Sequence, residues 1–410
     1  MKPLARAAAL ATLVVGACFA DRLTLDQALE LADRHHPRLR EADAERAITA
    51  SAIETARAYP NPIFDTTLAR QNARMAGVPT GGYQYYIFTQ PLDLPSVRRP
   101  RIQTAELGWE SSQLAQQETR LAVRTSVRHS FYESLRWRST VDLARQSLEL
   151  IEELRRRIGV QVDVGEAGRL ELIRAEAEVA TARSVVNRAQ LEYVTAISRL
   201  RAAIGASHDS VLEPVGKIQD PPPLPPLATL LQEVSKQYPS LAQAQTEVRR
   251  AESHLQTELA LRKPQPSVRF EFEQLPDSTL YRFAVAAPIP LWNRRKGPIG
   301  EARATVQRAE ATVDRRLIEI RAALENAYGR YQIAGQQIDA LQGGVLREAE
   351  EAVRSSQVAY QLGERGIVDV LDAQRVLRTV RLDFLNAQYD RQSALNDIRH
   401  LRALDLTETP

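Results

Sequence analysis

The stretch Tyr360–Ala373, Y-Q-L-G-E-R-G-I-V-D-V-L-D-A, ends one long helical pattern at Gly363 and opens another by about Ile367. An earlier stretch, Val164–Ala175, V-G-E-A-G-R-L-E-L-I-R-A, follows the same plan. A shift of 198 (363−165 and 366−168) pairs Gly165 with Gly363 and Gly168 with Gly366, and carries Glu171 onto Asp369 and Ala175 onto Ala373. The chain therefore contains its own duplicate.

A long helical pattern precedes each copy and a shorter one follows it. From about Val97 to Ile158 no proline interrupts the pattern after Pro100, and at 1.5 Å per residue it would reach roughly 90 Å. Leu143, Leu148, Ile151, Leu154 and Ile158 form an apolar stripe that needs partner helices along its length. Leu170–Ile204 runs back, with Ala175, Ala177, Ala180, Ala182 and Ala189 permitting close approach, and Gly205 ends it. The second copy reads the same way, from about Gly300 to Gln361 and from Ile367 to about Leu404.

Further upstream the period changes. Leu23–Leu29 opens a helix, with Thr24 as N-cap and Gln27 completing a capping box. A second segment, Arg38 to about Ala58, stops at Tyr59-Pro60-Asn61-Pro62, where two prolines forbid helix. Ile63–Gln71 and Tyr83–Leu92 are rich in Phe, Tyr, Ile and Thr and read as strands. In the second of these, Tyr83, Tyr85 and Ile87 share one face, Gln84 and Gln90 the other, with Tyr86 and Phe88 blurring the alternation. After the stiff linker D-P-P-P-L-P-P, Pro264-Gln265-Pro266 introduces a second hairpin with clean alternation. Val268, Phe270 and Phe272 oppose Arg269, Glu271 and Glu273; Tyr281, Phe283, Val285 and Ile289 oppose Arg282, Ala284 and Ala286.

Aromatic residues make up 6% of the 410 residues and charged residues 26%, a balance that favours extended helices over compact globules. Arg and Glu are interspersed with a net charge of +3, which leaves no nucleic-acid footprint. A single cysteine excludes an intrachain disulfide, and the six histidines lack metal-ligand spacing. No nucleophile–base pairing or phosphate loop supports an enzyme, and no cofactor is expected. Lys2 and Arg6 before the apolar run Ala7–Ala17 form a secretory signal. Val15-Gly16-Ala17-Cys18 also resembles a lipoprotein box in which Cys18 would be acylated; cleavage after Ala20 is the other reading.

The predicted organisation is a signal over 1–20, or one ending before Cys18, then a first repeat over 21–220 with a β-hairpin at about 62–94 and a helical tip at about 160–170. A Pro-rich linker over 221–226 leads to a second repeat over 227–404, with a hairpin at about 266–291 and a tip at about 360–368, and 405–410 is a tail. Two hairpins leave open edges, and each strand is about long enough to cross a hydrocarbon core as tilted β-structure. A barrel shared between copies would set Val268, Phe270, Phe272, Phe283 and Val285 toward lipid and Arg269, Glu271, Glu273 and Arg282 toward a wet lumen. Tyr83, Tyr85, Tyr86, Tyr281 and Trp292 supply belt aromatics. Arg98, Arg99, Arg101, Arg294, Arg295 and Lys296 follow the hairpins, where they face lipid phosphates or form a solvated turn. The competing reading is a soluble sandwich packed on the helices.

Gly363 with I-V-D-V-L-D-A, the duplication and the opening Leu23–Leu29 resemble the TolC family, outer membrane channels of tripartite efflux systems. Pro60-Asn61-Pro62, Gln90-Pro91-Leu92-Asp93-Leu94 and Pro290-Leu291-Trp292-Asn293-Arg294 are most similar to its heavy-metal (cobalt, zinc, cadmium) branch. The resemblance implies a mainly α fold with a small β part. Duplicated helical hairpins would form a periplasmic α-barrel, and four strands per subunit would join one β-barrel of a homotrimer in the outer membrane lipid. It implies passive export, a periplasmic adaptor (membrane fusion) protein facing tips at Gly165, Gly168, Gly363 and Gly366, and an inner membrane pump of the resistance-nodulation-division (RND) type.

The resemblance also implies a periplasmic gate. Asp369 and Asp372 match acidic positions that narrow the entrance; Glu171, Tyr360 and Arg365 match positions whose polar links hold it closed. Carboxylates at i and i+3 share one helix face, and copies around an axis would favour cations. The residues alone point first to Asp369 complementing the helix dipole and Asp372 being solvated, and it is the duplicated tip with the motif match that favours the gate. Gln161 stands where the family often has Arg, and Gly168 and Gly366 where it often has Ser or Thr. The rival readings are a soluble periplasmic coiled-coil adaptor or scaffold, and a TolC-like channel for drugs or type I protein secretion.

Overall fold

The computed structural model describes residues 21–72, 74–75, 77, 79–206, 212–218 and 223–407; the predicted signal and Cys18 lie outside them. Two compact units are present. The described residues within Met1–His36, Ser126–Pro221 and Ile333–Ser393 form one, and those within Pro37–Thr125, Pro222–Gln332 and Ala394–Pro410 form the other. Each unit therefore draws on both sequence repeats.

In chain order, strand β1 (Asp21–Leu23) leads through the Thr24 cap into α1 (Leu25–His35), and α2 spans Pro37–Arg57. The capping box forms as expected: Thr24 N donates to Gln27 Oε1 (2.9 Å) and Gln27 N to Thr24 Oγ1 (3.4 Å). Strands β2 (Ile63–Gln71) and β3 (Gly81–Pro91) precede α3 (Pro95–Asp163), and α4 (Arg169–Ile204) runs back. Strand β4 (Leu212–Pro214) pairs in parallel with β1, a contact that three-residue strands give no pattern to foresee. Then come α5 (Leu227–Gln237), α6 (Pro239–Leu261), β5 (Ser267–Gln274), β6 (Thr279–Ala286) and α7 (Lys296–Ala340). A π-helical turn, Leu341–Val345, separates α7 from α8 (Leu346–Gln361), so the single helix expected over Gly300–Gln361 is two. Gly343 and Gly344 weaken the ladder there, and their counterparts at the shift of 198, Arg145 and Gln146, lie inside unbroken α3. After α9 (Ile367–Leu401) the short α10 (Leu404–Thr407) buries Asp405, so the expected tail begins as packed structure.

Both return helices carry small residues at seven-residue spacing. In α4, Ala175, Ala182, Ala189, Ala196 and Ala203 are all buried, a period of 3.5 residues per turn that defines a coiled seam. Ala177 and Ala180, also expected on the packing side, are exposed because they fall outside this period. In α9 the same spacing holds for the buried Ala387, Ala394 and Leu401.

The second unit has its core where Leu121 of α3, Leu230 and Val234 of α5, Leu324 of α7 and Ile398 of α9 meet, all fully buried. Tyr238 closes it: its hydroxyl donates to Glu118 Oε1 (2.7 Å), with His400 Nε2 3.0 Å away and Thr125 Oγ1 3.2 Å from His400 Nδ1. Burial, reinforced by the Glu118 charge, pushes the Tyr238 hydroxyl well above its usual range, so it remains a donor. Among the described residues no helix is long and apolar enough to cross a membrane.

Leu324 lies at 0% exposure among large neighbours that leave little freedom to collapse. Leu324→Ala is expected to cost about 2–5 kcal/mol, read as a lowered thermal unfolding midpoint of the purified protein in detergent.

Candidate functional site

Two places carry the chemistry, a sheet in one unit and a pair of helical tips in the other. The sheet is four-stranded and antiparallel in the order β2-β3-β5-β6, so pairing of β3 with β5 sets the two hairpins side by side. Its strands are nine, eleven, eight and eight residues long. One face is apolar. Phe64, Tyr86, Phe272 and Tyr281 form an aromatic row across all four strands, with ring centroids 6.2, 5.9 and 5.3 Å apart, and Phe270 meets Phe283 at 5.8 Å. Among the described residues little covers this face: Tyr281 and Phe283 are 70% and 78% exposed.

The reverse face is charged and paired. Arg282 donates to Glu273 (2.6 Å) and Glu271 (3.4 Å), Arg269 lies 3.5 Å from Glu271, and the Tyr83 hydroxyl donates to Glu273 (3.2 Å). The register corrects two expectations for β3. Tyr85 stands opposite Glu273, which puts Tyr83, Tyr85 and Ile87 on the charged face and removes Tyr83 and Tyr85 from the belt. Tyr86 and Phe88 stand opposite Phe272 and Phe270, so the residues that blurred the alternation complete the apolar face. Cross-strand neighbours supply this information, and the local pattern of β3 does not contain it.

The two tips are the same turn built twice. At the end of α3, Glu166 N donates to Gln161 O (2.8 Å) and Gly165 N to Val162 O (3.1 Å), with Gly165 at φ 77°. At the end of α8, Glu364 N donates to Ala359 O (2.9 Å) and Gly363 N to Tyr360 O (3.0 Å), with Gly363 at φ 74°. These are paired Schellman caps, in which the left-handed residue is glycine because a Cβ would meet the following carbonyl. Gly168 and Gly366 play another part. Gly168 is the extended N-cap of α4 (φ −81°), and Asp369 N donates to Gly366 O (3.2 Å) in the first turn of α9, so neither needs glycine.

At this end of its unit α9 buries Ile367, Val370 and Leu371 against Ile158 and Ala175, and the same turns point Asp369 and Asp372 outward at 46% and 61% exposure. The Tyr360 hydroxyl donates to Gln161 Oε1 (3.0 Å), linking α8 to α3. Burial and then the nearby Glu171 charge raise its pKa, which keeps it protonated as a donor. Arg365 lies 3.9 Å from Asp369. Arg375 reaches Asp372 (3.1 Å) and, across to α4, the buried Glu178 (2.5 Å). The bond to Glu178, ahead of its charge, raises the Arg375 pKa and fixes the guanidinium as a cation.

Arg375 and Glu178 were not expected at this site. The available signal was Glu178 three residues after Ala175, on the buried side of a helix where a carboxylate requires a partner. Among the described residues no group of three or more His, Cys, Asp or Glu is placed to hold a metal ion.

A sheet with one bare apolar face, in a chain of duplicated long helices with matched tips, defines a channel-forming protein of the membrane-barrel class. Over residues 28–206 and 230–403 the chain matches the outer membrane efflux protein family, and it belongs to that family. It is 26% identical over 367 residues to the cobalt-zinc-cadmium resistance protein CzcC of Cupriavidus metallidurans, covering 88% of this chain and 86% of that protein. In fold it is similar to CusC, with a TM-score of 0.78 at 17% identity over 92% of this chain and 91% of that one. It is likewise similar to the open-state outer membrane channel MtrE of Neisseria gonorrhoeae, at 0.76 and 19% over 92% and 88%. The protein is an outer membrane efflux channel.

The two glycines of each tip should respond differently. Gly363→Ala is expected to cost about 1–2 kcal/mol from its left-handed backbone, while Gly366→Ser adds a capping hydroxyl and shifts stability by only a few tenths of a kcal/mol. Amide hydrogen exchange over the last turn of α8 and the first of α9 measures both.

Proposed function

We propose that the chain works as a homotrimeric passive duct of an RND-type tripartite system, its two Schellman tips facing a periplasmic adaptor and its cargo heavy-metal cations handed on by an inner membrane pump. The observation that carries the trimer is the sheet. Strands β2 and β6 are its edges and run in opposite directions, so β6 of one copy can pair antiparallel with β2 of the next. Such a contact is heterologous, and it closes into a ring when the rotation between copies divides a full turn. Three copies of four strands make twelve, within the range of outer membrane barrels, with the apolar face outward and the Arg–Glu face lining water.

The cargo reading is supported by the likeness to CzcC, a cobalt-zinc-cadmium resistance protein. Asp369 and Asp372 would stand at the entrance as the acidic positions of a gate, and Glu171, Tyr360 and Arg365 as its closing links. The neighbouring cations temper the acids: Arg365 and Arg375 sit beside them in each copy, so any ring of charge is smaller than the carboxylates alone would make it. No catalytic step is part of this reading.

Purified protein in planar bilayers should conduct and have the mass of a trimer in detergent; a monodisperse monomer without conductance would sink the proposal. Reversal potentials in a salt gradient test the gate. Asp369→Ala with Asp372→Ala should lower cation preference and Arg365→Ala should raise it; the same potential in all variants would remove these residues from the entrance.

A further inference from the structure

The loop over 287–295, between β6 and α7, is tethered and yet turns apolar side chains outward. Leu291 N donates to Ile289 O (2.9 Å), and Arg295 N donates to Asn293 Oδ1 (3.0 Å). Arg295 is held at φ 54°, a region a non-glycine residue adopts only when its surroundings enforce it, and its Nε donates to the buried carboxylate of Glu258 (3.1 Å). On this fixed frame Ile289 and Leu291 are exposed and Trp292 is 94% exposed, and the exposed run of β6 through Tyr281, Phe283 and Val285 reaches Ile289, with the half-buried Pro290 between it and Leu291.

The basic residues of the two hairpins also differ. After the first, Arg98 and Arg101 are engaged internally by the buried Asp93, at 3.3 and 2.6 Å, Arg98 also lies over the Tyr59 ring, and Arg99 alone of the three is exposed without a hydrogen bond or ion pair among the described residues. After the second, Arg295 is engaged by Glu258, but Arg294 and Lys296 are exposed and have no hydrogen bond or ion pair among the described residues. They stand at the start of α7, where the helix dipole disfavours cations and favours an anion.

We propose that this loop is an interfacial anchor for anionic phospholipid: Ile289, Leu291 and Trp292 enter the leaflet beside the apolar face of β6, and Arg294 and Lys296 receive the headgroup phosphates. Amphipathic indole at the headgroup level and basic residues against anionic lipid are the expected physics of such a site. The proposal rests on the reading of the sheet as part of a lipid-facing barrel. It commits to lipid because the loop adjoins that face and presents two exposed cations with no carboxylate beside them among the described residues.

The test uses the full chain reconstituted in vesicles of three parts phosphatidylcholine to one part phosphatidylglycerol, the latter brominated near the headgroup. Trp109 and Trp137 also emit, so the difference from Trp292→Phe isolates the indole in question. The expected result is strong quenching of that component. Arg294→Gln with Lys296→Gln should reduce the enrichment of phosphatidylglycerol around the protein by roughly fivefold per residue at low salt, with conductance unchanged. A Trp292 signal blind to bromine in a normally conducting protein overturns the anchor. Accessibility to aqueous iodide then tells whether water or a second copy of the chain covers the loop. Absence of conductance in the unmodified protein would instead overturn the channel reading, and the anchor with it.

Discussion

The outer strands of the sheet carry backbone groups that find no strand partner among the described residues, and hydrocarbon supplies none either. A lipid-exposed peptide group without a hydrogen bond costs several kcal/mol, so a four-stranded sheet with a bare aromatic face is stable in a bilayer only as part of a closed ring. The paired charges on the reverse face follow from the same constraint. Arg282 between Glu271 and Glu273, with Arg269 beside them, puts neutral rungs where water must pass and keeps uncompensated charge out of the barrel wall.

Duplication lets one physical solution serve twice, and the places where the copies part company are informative. The tips are held by the same pair of backbone bonds, because a left-handed glycine ends an α-helix and turns the chain at no steric cost. The strand-to-helix corners diverge. Asp93 gathers Arg98 and Arg101 in the first copy, whereas Glu258 takes Arg295 in the second and leaves its two basic neighbours outward. The ascending helices diverge as well, α3 being continuous while Gly343 and Gly344 open a π turn in the second copy.

Much of this was readable from residue order. The helix ends at Gly165, Gly205 and Gly363, the capping box at Thr24 and the strand Ile63–Gln71 all depend on interactions within a few residues, which is the range over which sequence pattern speaks. The apolar 367, 370 and 371 against the acidic 369 and 372 separate buried from exposed at the start of α9 by helical period alone. Strand β3 was misread in part because both of its faces are aromatic, so alternation carries no sign; its assignment needed Glu273 opposite Tyr85. The π turn was missed because two glycines late in a long helical pattern do not by themselves decide between a kink and a continuous ladder.

Periodicity and glycine placement in the chain thus specified the elements, their duplication, the two turns and the amphipathic character of the second hairpin, since each is set by local backbone sterics or by a repeating side-chain face. Three-dimensional packing alone decided which aromatic residues of β3 face outward, that β1 would find β4, and that Arg375 would bridge Asp372 to Glu178, 197 residues away. Those choices depend on which surfaces meet. A guanidinium selects its carboxylate by distance and burial, and neither quantity exists until the helices that carry them have packed.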